Sequence, residues 1–398
     1  MPSFLPKTLT LMTALALAPG LSGCDQGTSP SPAPPDTIRI VSSLPTRGYA
    51  ATQARQIEQA IQLAVDEHRG TIGMPNIEYH PLSDSDDETG EWSREQELAN
   101  AQQAANDPSV IAYIGPYNSG AAMVSIPVTN RAGLLHISPV ATWPGLTQGG
   151  YNPGEPGIYY PTGARNFISM MPDDSLQAKV AALWANMLDV ERVTLLTDGS
   201  TYSSGLANSF EQHAASIVKS KLAVDPLHLT GLSAQLAGSQ ALFYAPSSVQ
   251  NAVALAHALR GMDIVVLSTD VALDPQFLDR AGDDASRWHI VSNSIPDPHL
   301  FDSELGSGLR FKDSFERKYG ETPAQFAINA YDITTRILDA VTSLNAVTPG
   351  AGRNRAEVLK YVYSQESEGA TGPLHSRMSG YIWRDGRFHL TTVFPATP

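Results

Sequence analysis

A single cysteine, Cys24, stands among 398 residues, so neither an intramolecular disulfide nor a thiolate-ligated zinc site can form. Positive charge is scarce as well: 26 Lys and Arg against 40 Asp and Glu leave a formal net charge of −14. Without a basic face of domain size there is nothing to displace counter-ions from a phosphate backbone, and nucleic acid is excluded as a partner. Catalytic signatures are missing. There is no G-x-S-x-G, no G-x-x-x-x-G-K-[ST], no G-x-G-x-x-G and no H-E-x-x-H among ten scattered histidines. What is present is an ordinary globular composition, 42% hydrophobic and 17% charged with 31 glycines, long enough for two or three domains of about 150 residues.

The start of the chain has the pattern of an export signal. Lys7 precedes an apolar run, Leu9 to Ala18, of ten residues, about half of what a membrane-spanning helix needs. Leu21-Ser22-Gly23-Cys24 resembles the bacterial lipobox, in which the cysteine becomes the lipidated first residue. The expectation is therefore a signal peptide over 1–23, lipidation at Cys24, and a Pro- and Ser-rich tether over 24–36. The folded body would be exported and held to a membrane, facing the periplasm or the cell exterior.

From Thr37 onward short β-branched runs alternate with amphipathic helices. Ile57, Ala60, Ile61, Ala64 and Val65 share one helical face. Strand and helix then recur: Asn76 to Leu82 and Ser93 to Asn106, Val110 to Ile114 and Ser119 to Arg131, with Leu134 to Ile137 as a further strand. A glycine- and proline-rich break at Gly149 to Gly157 precedes a second series that opens on the strand Phe167 to Met170. Such alternation predicts an α/β fold with parallel sheets covered on both faces. The C-terminal part reads as helices, then a hairpin turning at Asp385-Gly386.

Two turns carry chemistry. Tyr113 to Gly120 is a strand ending in Gly-Pro with Asn118 or Ser119 opening a helix, where unpaired amides and a hydroxyl suit a small carboxylate; the alternative is a cap that serves the helix alone. Ile137 to Thr147 follows the next strand, so its loop faces the same crevice. Asp84, Asp86, Glu88 and Glu95 have calcium-loop spacing, but Thr89 occupies the position that requires glycine, and the segment reads as a solvated turn instead.

At Tyr113 to Gly120, Ile137 to Thr147, Pro172 to Gln177, Tyr202 to Gly205 and Phe311 to Tyr319 followed by Pro323-Ala324, the chain resembles the type I periplasmic binding proteins of the leucine/isoleucine/valine class, the substrate-capturing parts of ABC importers. The resemblance implies two Rossmann-like lobes joined by a three-crossing hinge. Their parts would be 37–163 and 296–350 in the first lobe, and 164–295 and 351–398 in the second. It also implies that Ser119 and Thr142 hold a ligand carboxylate, Val140 contributes backbone, Tyr202 closes over the ligand and Asp270 meets its ammonium. Tyr117 and Asn118 add to the lining. Asp270 is shorter than the glutamate of the family, and Ser247 and Gln53 stand near family aromatics, so the side-chain pocket is altered. Trp143 is expected to pack locally.

The resulting expectation is a lipoprotein of an ABC importer that captures a small amino acid of the branched-chain type or a related carboxylate, with an ABC permease as partner and neither catalysis, cofactor nor metal. A ligand sensor on the same fold is the alternative reading, and a hydrolase with an unrecognised cleft site the third.

Overall fold

The computed structural model describes residues 37–71, 75–226, 228–292, 307–324, 326–367 and 377–395. The expected signal peptide, tether and lipidated Cys24 lie outside them. Five parallel strands, β1 (Thr37–Leu44), β2 (Asn76–Ser83), β3 (Val110–Ile114), β4 (Leu135–Ser138) and β5 (Phe167–Ser169), form a first sheet in the order β2-β1-β3-β4-β5. Between them run α1 (Ala51–His68), α2 (Arg94–Asn106) and α3 (Ser119–Arg131). The helical face expected in α1 is the one that packs: Ile57, Ala60, Ile61, Ala64 and Val65 are all fully buried. Successive strand residues serve opposite layers, with Ile38 and Ile40 in one core and Val41 in another, as a doubly covered sheet requires.

The second sheet holds β6 (Val193–Thr197), β7 (Val218–Ala223), β8 (Ala241–Tyr244), β9 (Val265–Thr269) and β10 (Trp288–Ser292), parallel throughout, in the order β10-β9-β8-β6-β7. Its helices are α4 (Asp174–Met187), α5 (Thr201–Ala214), the short α6 (Leu232–Gln235), α7 (Val249–Ala258) and α8 (Pro275–Ala281). Leu195, Phe243 and Leu267 face one layer, while Leu196, Leu242 and Val266 face the other. Next come α9 (Ser307–Tyr319), α10 (Ala327–Val347) and α11 (Arg355–Ser367), followed by the hairpin β11 (Arg377–Arg384) and β12 (Arg387–Pro395). The hairpin adds antiparallel to β10. It turns where expected, Asp385 and Gly386 taking φ of 51° and 78°.

Three assignments differ from the sequence reading. The strand at Phe167 belongs to the first lobe, not the second, because it pairs with β4 and its ring packs edge-on against His136 at 5.1 Å. The helix after residue 351 also stays with the first lobe, its Val358 and Val362 lying in the core that α1 and α10 share; only the hairpin joins the second sheet. Where the sequence pattern reads as a helix from Ser203 to Val218, α5 ends at Ala214 and β7 begins at Val218. Its alternating exposure and its two lysines suit a sheet edge. The chain thus leaves the first lobe after β5, returns after β10 and leaves again after α11, which makes three crossings.

The acidic segment after β2 also differs from a uniformly solvated turn. Asp86 does cap it, accepting the amides of Glu88 and Thr89 at 3.0 and 2.8 Å. Asp84 is fully buried, and neither of its carboxyl oxygens has a hydrogen-bond partner. Lost hydration pushes its pKa up to about 7, and the same effect raises neighbouring Glu97, which accepts hydroxyls from Ser43 at 2.5 Å and Tyr113 at 3.1 Å. Carboxyls raised in the folded state favour it most when protonated. Their contribution is complete below the ordinary carboxyl pKa near 4 and is lost as pH rises through the folded value. Calorimetric melting of the ligand-free protein should therefore show a midpoint that falls between about pH 5 and pH 8, with Asp84→Asn flattening part of the slope. A midpoint rising over that range contradicts the assignment.

Candidate functional site

In a parallel sheet the loops beyond the carboxyl ends of the strands share one edge, and here two such edges face each other. From the first lobe come Tyr49 after β1, Glu91 and Trp92 after β2, Tyr117 to Gly120 after β3, and Val140 and Thr142 after β4. The second lobe supplies Gly199 to Tyr202 after β6, Ser247 after β8, and Asp270 and Val271 after β9. With Phe326 at the start of α10 they enclose a cavity of ≈ 330 Å³. All seven ligand residues named from the sequence line it.

One wall presents hydrogen-bond donors. Gly115 takes φ of +123°, and a Cβ there would sit 2.4 Å from the carbonyl oxygen of Ser43, so only glycine lets β3 turn this tightly against β1. The turn delivers Asn118 to the N-terminus of α3, yet its side chain makes no capping bond. By contrast α5, across the cavity, is capped by Ser200, whose hydroxyl accepts the Ser203 amide at 3.1 Å. The α3 amides therefore lack a side-chain acceptor of their own, which disfavours a cap that serves the helix alone. Ser119 Oγ accepts the amides of Thr142 and Trp143 at 3.3 and 3.2 Å, and its own proton remains to be donated. Val140 gives its amide to Ser138 Oγ at 3.1 Å, so its carbonyl is the backbone group it can offer.

The opposite wall presents a buried carboxyl group. Asp270 is 6% exposed; it accepts Gln177 Nε2 at 2.7 Å and lies 3.5 Å from the Tyr202 hydroxyl. Burial raises its pKa against those hydrogen bonds. Behind it, Asp174 is 1% exposed with no donor on either carboxyl oxygen. Burial pushes Asp174 up to about 8, with the charges of Asp173 and Asp270 adding to the effect. No Lys, Arg or His lines the cavity among the described residues. A buried carboxylate without a cation is costly, and an ammonium group placed beside it removes most of that cost.

Contacts also run directly between the lobes. Gln53 Nε2 donates to Asp274 at 2.9 Å while its carbonyl accepts the Tyr117 hydroxyl. Trp143 does more than pack locally: its indole N–H donates to Glu155 at 3.0 Å, and its ring covers Gly205 of α5, where a Cβ would lie 2.4 Å away.

The comparisons with known proteins bear on this geometry. The model of the periplasmic binding protein family matches residues 37–387. The chain belongs to that family. The Leu/Ile/Val-binding protein BraC3 of Rhizobium johnstonii is 29% identical over 206 residues, covering 51% of this chain. The match spans 47% of BraC3, so the chain spans about half the length of that curated relative. Among solved periplasmic binding proteins, the leucine-binding LivK of Thermotoga maritima superposes with a TM-score of 0.72 at 20% identity, covering 90% of this chain and 99% of that one. LivJ of Streptococcus pneumoniae, solved with isoleucine, gives 0.71 at 21% over the same shares. A benzoate-bound solute-binding protein of R. palustris gives 0.70 at 15%, covering 90% and 96%. The type I fold and the resemblance to the leucine/isoleucine/valine class agree with these relatives.

Among the lining residues that escaped the sequence reading are Tyr49, Glu91, Trp92, Thr201, Val271 and Phe326. The rule that ligands sit beyond strand ends would have found Tyr49, Glu91 and Trp92, which follow β1 and β2. Phe326 has φ of +71°, a conformation that no local signal announces for a bulky residue.

Because Trp143 packs on Gly205 where the lobes meet, Gly205→Val should hold them apart. Small-angle scattering of the variant at saturating ligand should give a larger radius of gyration than the liganded parent. Equal radii would show that this contact does not limit closure.

Proposed function

We propose that the protein is a substrate-binding lipoprotein of an ABC importer, capturing a small amino acid in the interlobe cavity and delivering it to a permease. The observation that carries the reading is the division of labour across the cavity: Ser119, Thr142 and the uncapped α3 on one wall, Asp270 with Tyr202 on the other. Enclosing a zwitterion removes water from both of its charges, and each needs its own partner. When those partners belong to different lobes, the ligand favours the closed arrangement by contacts that the open one lacks. A permease can then read occupancy as shape. Export and acylation at Cys24 would keep the receptor beside its transporter, and no helix among the described residues is long and apolar enough to cross a membrane.

The amino-acid and the leucine-binding relatives support the ligand class. The benzoate-bound neighbour makes a plain carboxylate the competing ligand, and Asp270 is the residue that separates the two. Asp270→Ala should weaken an amino acid by about 2 kcal/mol or more, as for a buried charge pair that loses one member, and affect benzoate far less. Titration calorimetry on both ligand types measures the difference. Equal losses, or binding of benzoate alone, would remove Asp270 from the ammonium role and the amino acid from the proposal.

A further inference from the structure

Trp92 reaches the cavity on a rigid mount. The turn that carries it, after β2, closes on itself through a Ser85–Trp92 bridge, with the Ser93 amide on the Asp84 carbonyl and the Asp86 amide on the Glu91 carbonyl, both at 2.7 Å. It is also pressed against the segment after β1. Gly48 and Gly90 take φ of +64° and +73°, and a Cβ on Gly48 would lie 2.6 Å from the Gly90 carbonyl oxygen, so the two backbones meet where no side chain fits. From this mount the Trp92 ring covers the first turn of α3. A Cβ on Gly120 would sit 2.8 Å from Trp92 Cζ2 and 3.6 Å from Thr201 Oγ1 of the second lobe. The ring thus stands beside Ser119, the proposed carboxylate seat, where the two lobes come together.

The rest of the apolar lining is mostly aromatic too. Tyr49, Tyr117, Tyr202 and Phe326 line the cavity with Trp92, whereas Val140 and Val271 are its only aliphatic side chains among the described residues. The rings are held in place: the Tyr49 hydroxyl accepts Asn118 Nδ2 at 3.0 Å, the Tyr117 hydroxyl donates to Gln53, and Tyr117 meets Phe326 edge-on with centroids 6.0 Å apart. A further ring entering such a wall makes offset or edge-on contacts that gain more than buried area alone, which an aliphatic branch does not. Size points the same way. The ≈ 330 Å³ of the cavity equals the volume of about eleven waters at about 30 Å³ each. A branched aliphatic amino acid has fewer non-hydrogen atoms than that, bonded closer together than waters pack, and leaves part of the space without contacts.

We propose that Trp92 is a specificity-determining residue and that the captured amino acid carries an aromatic side chain packed on its ring, not a branched aliphatic one. This rests on the amino-acid reading, with Ser119 and Asp270 serving the two charged ends that all such ligands share.

Titration calorimetry with the common amino acids and benzoate, on the parent, Trp92→Leu and Trp92→Phe, tests it. Phenylalanine, tyrosine or tryptophan should be the tightest ligand of the parent, about fivefold or more above leucine. That preference should shrink by about fivefold in Trp92→Leu, which keeps an apolar side chain but no ring, and largely survive in Trp92→Phe. A non-aromatic amino acid as the tightest ligand, a preference that Trp92→Leu leaves unmoved, or one that Trp92→Phe loses as fully as Trp92→Leu, would overturn the inference while leaving the amino-acid reading intact. Binding of benzoate alone, or of none of these compounds, would overturn both.

Discussion

The structure is organised around a negative charge that has been taken out of water and given no protein cation. Asp270 sits at the end of β9 with a glutamine amide and a more distant tyrosine hydroxyl as its donors, and Asp174 lies behind it with none. Hydrogen bonds hold such a carboxylate in position but do not neutralise it. The group that completes it must arrive from outside, through a cleft whose opposite wall offers hydroxyls and free helix amides. This asymmetry is the ground for the proposed ligand, a small molecule with a positive and a negative end.

In the proposed function that asymmetry couples binding to the arrangement of the lobes. Each lobe is a separate α/β layer with its own core, and the chain passes between them three times, so rigid bodies can swing without repacking. Direct contacts between the lobes include Gln53 to Asp274, Trp143 on Gly205, and the Asp174 amide to the Thr142 carbonyl at 3.1 Å. In the proposed function, a ligand touching both lobes adds to these contacts and favours the closed form.

Much of this was legible in the sequence, and for identifiable reasons. The 3.6-residue spacing of Ile57 to Val65 reports a buried face because a helix has to hide one. The turns after β3 and β4 announced themselves because Gly115-Pro116 and Ser138-Pro139 stop strands where functional loops begin. Residues whose roles depend on the other lobe were harder to read. Glu91 looked like part of a solvated acidic turn until the second lobe was seen to approach it, and Asp84 gave no sign of being buried. The assignment of the Phe167 strand and of the helix at Val358 to the first lobe turned on which core had room for them, a property of packing that local pattern does not encode. Phe326 reaches the cavity through a backbone conformation that its side chain would normally avoid.

In the proposed function one guest is held by its two ends from two lobes. A crystal structure with the bound amino acid tests this most directly. Its carboxylate should lie against Ser119, Thr142 and the first amides of α3, and its α-ammonium within hydrogen-bonding distance of Asp270. A ligand that made all its polar contacts with one lobe, or one lying with its carboxylate toward Asp270, would contradict it.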